Sequence, residues 1–277
     1  MPQRQSLSFA RFLASAAVAA MLAAGLGGCQ TMADVTGSLT GKAEPTPVTD
    51  PQRAAEVYGE RYRANPKDPD AALAYGQALR SNGQRAQAAA VLEQANIANP
   101  GSKPLLAAWG RALADNGNFQ QAFDVLSKAH TPDNPDWRIL SVQGTVLDQL
   151  GRHEEARAYY TSALKIVPGE PSVLSNFGMS YVLTRELPKA EEVLRQAYAN
   201  PKADSRVRQN LGLVVGLRGH FAEAETIVKG DLPPDEAAAN VAYLKDMLKN
   251  KDQDNSRPGH GKSGRNGIPV AELTRPD

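Results

Sequence analysis

The sequence predicts an all-α fold, a right-handed superhelix (α-solenoid) of about five helical hairpins with capping helices. Three observations predict it. Gly76, Gly110, Gly144, Gly178 and Gly212 follow one another at intervals of 34 residues. Twelve positions after each stands an alanine: Ala88, Ala122, Ala156, Ala190 and Ala224. Four further on, large apolar residues recur in one register: Leu92, Leu126, Tyr160, Leu194 and Val228. A fixed period of roughly 20–50 residues marks stacked repeats, because one such unit cannot bury its apolar face alone.

Each position has a physical reason. Glycine on the first helix and alanine on the second lack bulk, so the two helices of a hairpin can approach closely. Ala95, Ala129, Ala163 and Ala197 let the next hairpin nest against the second helix. Pro100 and Pro168 end the first and third units at one register, and Pro201 ends the fourth one residue early. The second unit has Asn134 there, flanked by Pro132 and Pro135. Proline cannot continue a helix and biases its predecessor away from the α region. Gly83, Gly117, Gly151 and Gly219 sit at the turn between helices, and Arg185 replaces glycine in the fourth unit, so that turn should be looser or slightly strained. This is the tetratricopeptide-repeat (TPR) signature, with repeats near 69–102, 103–136, 137–170, 171–204 and 205–230.

The ends follow the same logic. Ala54, Tyr58 and Pro66 match the second-helix register of a preceding unit, so residues 52–65 read as a capping helix. After the fifth hairpin Pro233-Pro234 breaks the chain, and Asp235 can cap a helix over 236–250 with Val241, Leu244 and Leu248 on one face. The repeat domain thus covers 52–250. Residues 251–277 are dominated by Gly, Asp, Asn, Arg and Pro and predict disorder.

Ahead of the array, Arg4 and Arg11 precede an uncharged run, Phe12 to Leu26, followed by Gly27, Gly28 and the single cysteine, Cys29. A basic start, a short apolar run and small residues before a cleavage point describe an export signal over 1–28. The run is short for a hydrocarbon core about 30 Å thick. Leu26-Gly27-Gly28-Cys29 resembles the bacterial lipobox, which implies that Cys29 is lipidated and becomes the new N-terminus. The alternative is an ordinary cleaved signal with Cys29 incidental. Gln30 rather than aspartate follows, which the resemblance ties to the outer membrane, periplasmic face; inner-membrane or soluble periplasmic placement is the alternative. Residues 29–51 read as a flexible tether with a reach of roughly 25 Å.

Composition excludes several classes. With 31 basic and 30 acidic residues there is no cationic excess to attract nucleic acid. One cysteine forms neither an internal disulfide nor a multi-thiolate zinc site. Gly259-His260-Gly261-Lys262-Ser263 ends like a phosphate loop, but Ser256 stands where its first glycine belongs. His153-Glu154-Glu155-Ala156-Arg157 starts like a zinc-protease helix but has Arg157 in place of the second histidine. The pairs Glu154/Glu155 and Glu191/Glu192 read as solvated faces, and His130, His153, His220 and His260 as scattered surface residues. Trp109 lies in the core register, Trp137 opens the third unit, and packing explains each. The expectation is therefore no enzyme, no cofactor and no metal.

What remains is protein recognition. First helices of such an array line its groove, which places Gln77, Arg80, Arg111, Ser141, Thr145, Asp148, Met179, Val182, Leu213 and Leu217 inward. The groove is polar over three units and apolar over two. The C-terminal helix folds back over the apolar part, or that part is a docking strip for a partner segment, with Met179 suited to adaptable packing. Asn176 and Asn210 partly echo the carboxylate clamp of chaperone-binding repeats, but Met179 and Leu213 stand where it needs polar groups.

Arg208-Gln209-Asn210-Leu211-Gly212-Leu213-Val214-Val215-Gly216-Leu217, on through Phe221-Ala222-Glu223-Ala224-Glu225, resembles the TPR lipoprotein of Flp/Tad pilus assembly, the TadD type. So does Asp231-Leu232-Pro233-Pro234 followed by Ala239-Asn240-Val241-Ala242-Tyr243-Leu244. The resemblance covers about residues 140–248. It implies an outer-membrane-associated lipoprotein that helps assemble the tight-adherence pilus machine, with pilotin-like support of its secretin. Its partners would be the secretin or inner-membrane parts of that machine. The alternative is a TPR lipoprotein scaffold of another envelope machine, for β-barrel assembly or cell-wall synthesis.

Overall fold

The computed structural model describes residues 50–256, and side chains through residue 250. Twelve α-helices and no strand occur among the described residues. First helices α2 (Pro69–Ser81), α4 (Lys103–Asp115), α6 (Trp137–Gln149), α8 (Pro171–Leu183) and α10 (Ser205–Leu217) alternate with second helices. Those are α3 (Arg85–Ala98), α5 (Phe119–Leu126), α7 (His153–Ile166), α9 (Leu187–Tyr198) and α11 (Phe221–Val228). Helix α1 (Pro51–Ala64) precedes the array and α12 (Pro234–Ser256) ends it. The architecture is the expected all-α TPR superhelix.

Local chemistry starts the first helices. Asp68, Asp136 and Asp204 each precede one and accept a hydrogen bond from a backbone N–H of its first turn, while Pro69 and Pro171 occupy the first position of α2 and α8. Asp50 does the same for α1, accepting from the N–H groups of Gln52 and Arg53.

The repeat register is a packing register. A Cβ on Gly76 would stand 2.7 Å from Leu92, on Gly110 2.5 Å from Leu126, on Gly144 2.6 Å from Tyr160, and on Gly178 2.6 Å from Leu194. Real Cβ atoms do not approach so closely, so each glycine is where its hairpin touches. The paired alanines, Ala88, Ala122, Ala156, Ala190 and Ala224, are fully buried.

Two features depart from expectation, and another decides between the two forms expected of one turn. First, α5 stops at Leu126, and residues 127–136 run irregularly with an isolated bridge between Thr131 and Asn134. Pro132 and Pro135 keep Thr131 and Asn134 out of the α region, so no helix resumes before α6. Ala129 stays buried even so. Beyond this segment α4 and α6 approach each other least among successive first helices. Second, the turn at Arg185 is not looser. Its φ of 63° matches the left-handed conformation of Gly83 and Gly151, so the turn is kept and carries strain of about 1–2 kcal/mol. Third, α12 begins at Pro234, which puts Asp235 inside the first turn, and continues to Ser256 rather than ending near 250.

Helix α12 stacks on α10 and α11 where the first helix of a sixth unit would lie. Ala237, Val241 and Leu244 are buried, with Leu244 2.6 Å from where a Cβ on Gly216 would be. No described helix is long and apolar enough to cross a membrane.

Candidate functional site

An open cleft of about 900 Å³ lies on the first-helix face of the first three repeats. Gln77 and Arg80 come from α2, Ala107 and Arg111 from α4, and Arg138 and Ile139 from α6. The irregular segment supplies His130, Thr131 and Asp136. The segment that follows α5 lines the opening between α4 and α6.

Most of its charges are already engaged. Arg80 Nε donates to Asp115 Oδ2 at 2.6 Å, and its Nη1 donates to Gln77 Oε1 at 3.3 Å. Lys103 Nζ donates to the Lys128 carbonyl. The Arg138 guanidinium lies 4.5 Å from the Trp137 ring centroid. Asp136 accepts from the Arg138 backbone N–H at 2.7 Å. Arg111 is half-buried and forms an ion pair with no carboxylate among the described residues. Burial, then the nearby Arg80 charge, lowers its pKa from the ordinary guanidinium value, with Asp136 opposing.

The third repeat differs from the expected polar groove lining. Thr145 is exposed, and its hydroxyl donates to the Ser141 carbonyl at 3.1 Å. Asp148 is not a groove residue: it is buried. Its Oδ1 accepts from His153 Nδ1 at 2.8 Å and from Ser180 Oγ at 2.8 Å, while Oδ2 accepts from the Tyr160 hydroxyl at 2.9 Å. Three donors satisfy the oxygens of this buried side chain. Burial and the Asp148 carboxylate together push the Tyr160 phenol pKa far up, so it stays protonated. His153 is correspondingly no surface histidine. A signal was present: tyrosine at a register otherwise held by leucine or valine brings a hydroxyl into the core that must find a partner.

Ser141 is buried too, and accepts from Asn176 Nδ2 at 3.2 Å. One repeat on, Asn210 Nδ2 donates to Ser175 Oγ at 2.9 Å. The two asparagines are therefore rungs between neighbouring first helices rather than clamp donors. Val182 also leaves the groove, buried with Leu211, Val214 and Val215 in the fourth-to-fifth repeat core. Met179 and Leu217 pack half-buried against the same cluster, and Leu213 is half-buried. The structure thus brings Gln77, Arg80 and Arg111 into one cleft and leaves Thr145, Met179, Leu213 and Leu217 outside it.

Charged residues on the second helices also join repeats. Arg157 lies 4.3 Å over the Tyr181 ring, with Nη1 bonded to Glu154 at 2.8 Å and 3.0 Å from Glu186. Hydrogen bonds from Lys189 and then Thr184 hold the Glu186 carboxyl down to about 2. Glu191, expected on a solvated face, is buried between Arg195 and Arg218. Burial alone would raise its pKa, but hydrogen bonds from Arg218 and Arg195 outweigh that and lower it. His130 is half-buried; its Nε2–H donates to Gln143 Oε1 at 3.0 Å, and Gln143 Nε2 donates to Ser127 Oγ at 3.1 Å. Cys29 and residues 259–263 lie outside the described residues.

Residues 50–129 match the family model for subunit 3 of the anaphase-promoting complex (cyclosome), and residues 107–171 match the tetratricopeptide-repeat model. Among solved structures, the APC/C hetero-tetramer Cut9–Hcn1 aligns with a TM-score of 0.58 at 16% identity over 76% of this chain. This chain spans only 41% of that one. A thermophilic TPR protein of Thermus thermophilus aligns with a TM-score of 0.53 at 18% identity, covering 60% of this chain and 90% of the other. Pseudomonas aeruginosa pilF aligns with a TM-score of 0.52 at 18% identity, covering 68% and 87%. These likenesses are likenesses of fold. No curated protein sequence matches the chain.

Proposed function

We propose, on the premise that the chain is an all-α tetratricopeptide-repeat superhelix, that it is a non-catalytic, lipid-anchored adaptor for assembly of a Flp/Tad-type pilus machine. Cys29 carries the anchor, residues 29–51 the tether, and the first-helix face the contact with protein components of the apparatus. The anchor places it on the periplasmic face of the outer membrane, where it gives pilotin-like support to the secretin.

The observation that carries the pilus reading is the resemblance of residues 208–225 and 231–244. Its two segments meet in the fold: Arg208 Nε donates to Asp231 Oδ2 at 2.7 Å, tying α10 to the link before α12. That contact supports reading the segments as one unit. Crosslinking in the source cell followed by pull-down tests the proposal, with secretin and other pilus-machine components expected. Recovery of β-barrel-assembly or cell-wall-synthesis components instead would replace the pilus reading with the other envelope scaffold. Cys29→Ser should move the protein out of the membrane fraction, and its retention there would remove the anchor from the proposal.

A further inference from the structure

We propose that the cleft of the first three repeats holds an extended acidic segment of a partner protein, with the Arg111 guanidinium bonding one of its side-chain carboxylates. This deepens the adaptor reading and rests on it.

The cleft wall carries four basic side chains, Arg80, Lys103, Arg111 and Arg138, against one carboxylate, Asp136. Its excess is local, because the chain as a whole is nearly neutral. Three of the four cations are occupied: Arg80 by Asp115, Lys103 by a carbonyl, and Arg138 by the Trp137 ring. Arg111 is not. A half-buried guanidinium without a carboxylate has lost hydration with little in return, so an arriving carboxylate finds it already desolvated. Its planar fork suits two parallel hydrogen bonds to a carboxylate.

The geometry favours a peptide over other anions. Leu73, Ala107 and Ile139 line the same opening, giving apolar surface for the side chains that flank an acidic one. Space for a backbone comes from the open cleft of about 900 Å³, whose wall includes His130, Thr131 and Asn134 of the irregular 127–136 segment. This contact lies in the first half of the array, apart from the segments that carry the pilus resemblance.

The test selects a random dodecapeptide display library on the full-length protein in detergent, then measures the consensus peptide by fluorescence anisotropy. Enrichment of Asp or Glu is expected, with the consensus losing affinity about ten- to a hundredfold on Arg111→Ala and on Glu→Gln in the peptide. Arg53→Ala, in α1 and outside the cleft, should leave binding unchanged. Circular dichroism of each variant checks folding, and the Glu→Gln peptide probes the same bond without altering the protein. Selected peptides without acidic enrichment, or an affinity indifferent to Arg111, would overturn the cleft proposal while leaving the adaptor reading in place. Selection of no peptide at all, together with no protein recovered by crosslinking, would overturn that reading as well. Vesicles containing phosphatidylglycerol form the remaining arm: Arg111-dependent vesicle binding without acidic peptide enrichment would make the cleft a lipid site and refute the peptide assignment.

Discussion

Replacing Gly144 by alanine tests the close helix contact on which the array depends. The new Cβ would stand 2.6 Å from Tyr160 Cε1, 2.8 Å from Cζ and 2.9 Å from Cδ1. Tyr160 has nowhere to retreat. It is 1% exposed, its hydroxyl donates to buried Asp148 at 2.9 Å, and its ring stacks on Phe177 at 5.9 Å between centroids. Overpacking of this kind costs about 1–3 kcal/mol. Displacing a hydrogen bond to a charged group adds about 1.5–3 kcal/mol. Alanine's better helix propensity returns about 1 kcal/mol. The expected net loss is therefore about 1.5–5 kcal/mol, read from urea unfolding followed by circular dichroism with the slope checked against wild type. Gly76→Ala provides the comparison, because the Cβ there meets Cγ and both Cδ atoms of Leu92, a side chain that overpacks but has no hydrogen bond to lose. Its loss should be smaller by about 1–2 kcal/mol. A Gly144→Ala protein as stable as wild type, or one no less stable than Gly76→Ala, would refute the reasoning.

Arg185→Gly should stabilise the protein by about 1 kcal/mol by relieving a φ of 63°, and an unchanged or lower melting temperature would count against strain at that turn. Glu191 has a folded pKa lowered by Arg218 and Arg195 against the opposing effect of burial. Its contribution is therefore full above the ordinary carboxylate value of about 4.3 and is lost as pH falls through the lowered folded value. Glu191→Gln should accordingly make stability less pH-dependent below about pH 4, and an acid limb as steep as wild type would show that other carboxylates dominate. Asp148→Asn replaces an acceptor of three hydrogen bonds by a group that must also donate; a loss of about 2–3 kcal/mol is expected in the same urea assay, and a neutral result would contradict the network. Met179→Glu with Leu213→Glu should weaken partner capture from native membranes without lowering helicity, and unchanged capture would remove the fourth and fifth repeats from the contact surface.

Much of the array is legible without coordinates because its period is imposed by sterics. Wherever a second-helix Leu126, Tyr160 or Leu194 must lie against a first helix, only glycine fits opposite, so Gly110, Gly144 and Gly178 mark hairpin contacts directly. Helix starts are equally local: Asp68, Asp136 and Asp204 cap within two or three residues of themselves. The candidate site is less legible, for a physical reason. Register assigns a residue to a helix face, but not the depth to which the next hairpin buries it. Val182 and Asp148 share the register of Arg80, yet the first two are buried and Arg80 lines an open cleft.

The sequence by itself determined the repeat length, the glycine contacts within each hairpin and the helix face each residue occupies. Those depend on neighbours within a hairpin. The tertiary structure decided which of those faces remain open. The segment after Leu126 lines the opening between α4 and α6, and Arg111 is left half-buried without a bonded carboxylate, whereas Asp148 and Glu191 each find donors on an adjacent repeat. Pairing of that kind is settled by contacts some 27 to 32 residues apart in the chain, where hydrophobic stacking sets the spacing and charges then take whatever partner falls within reach.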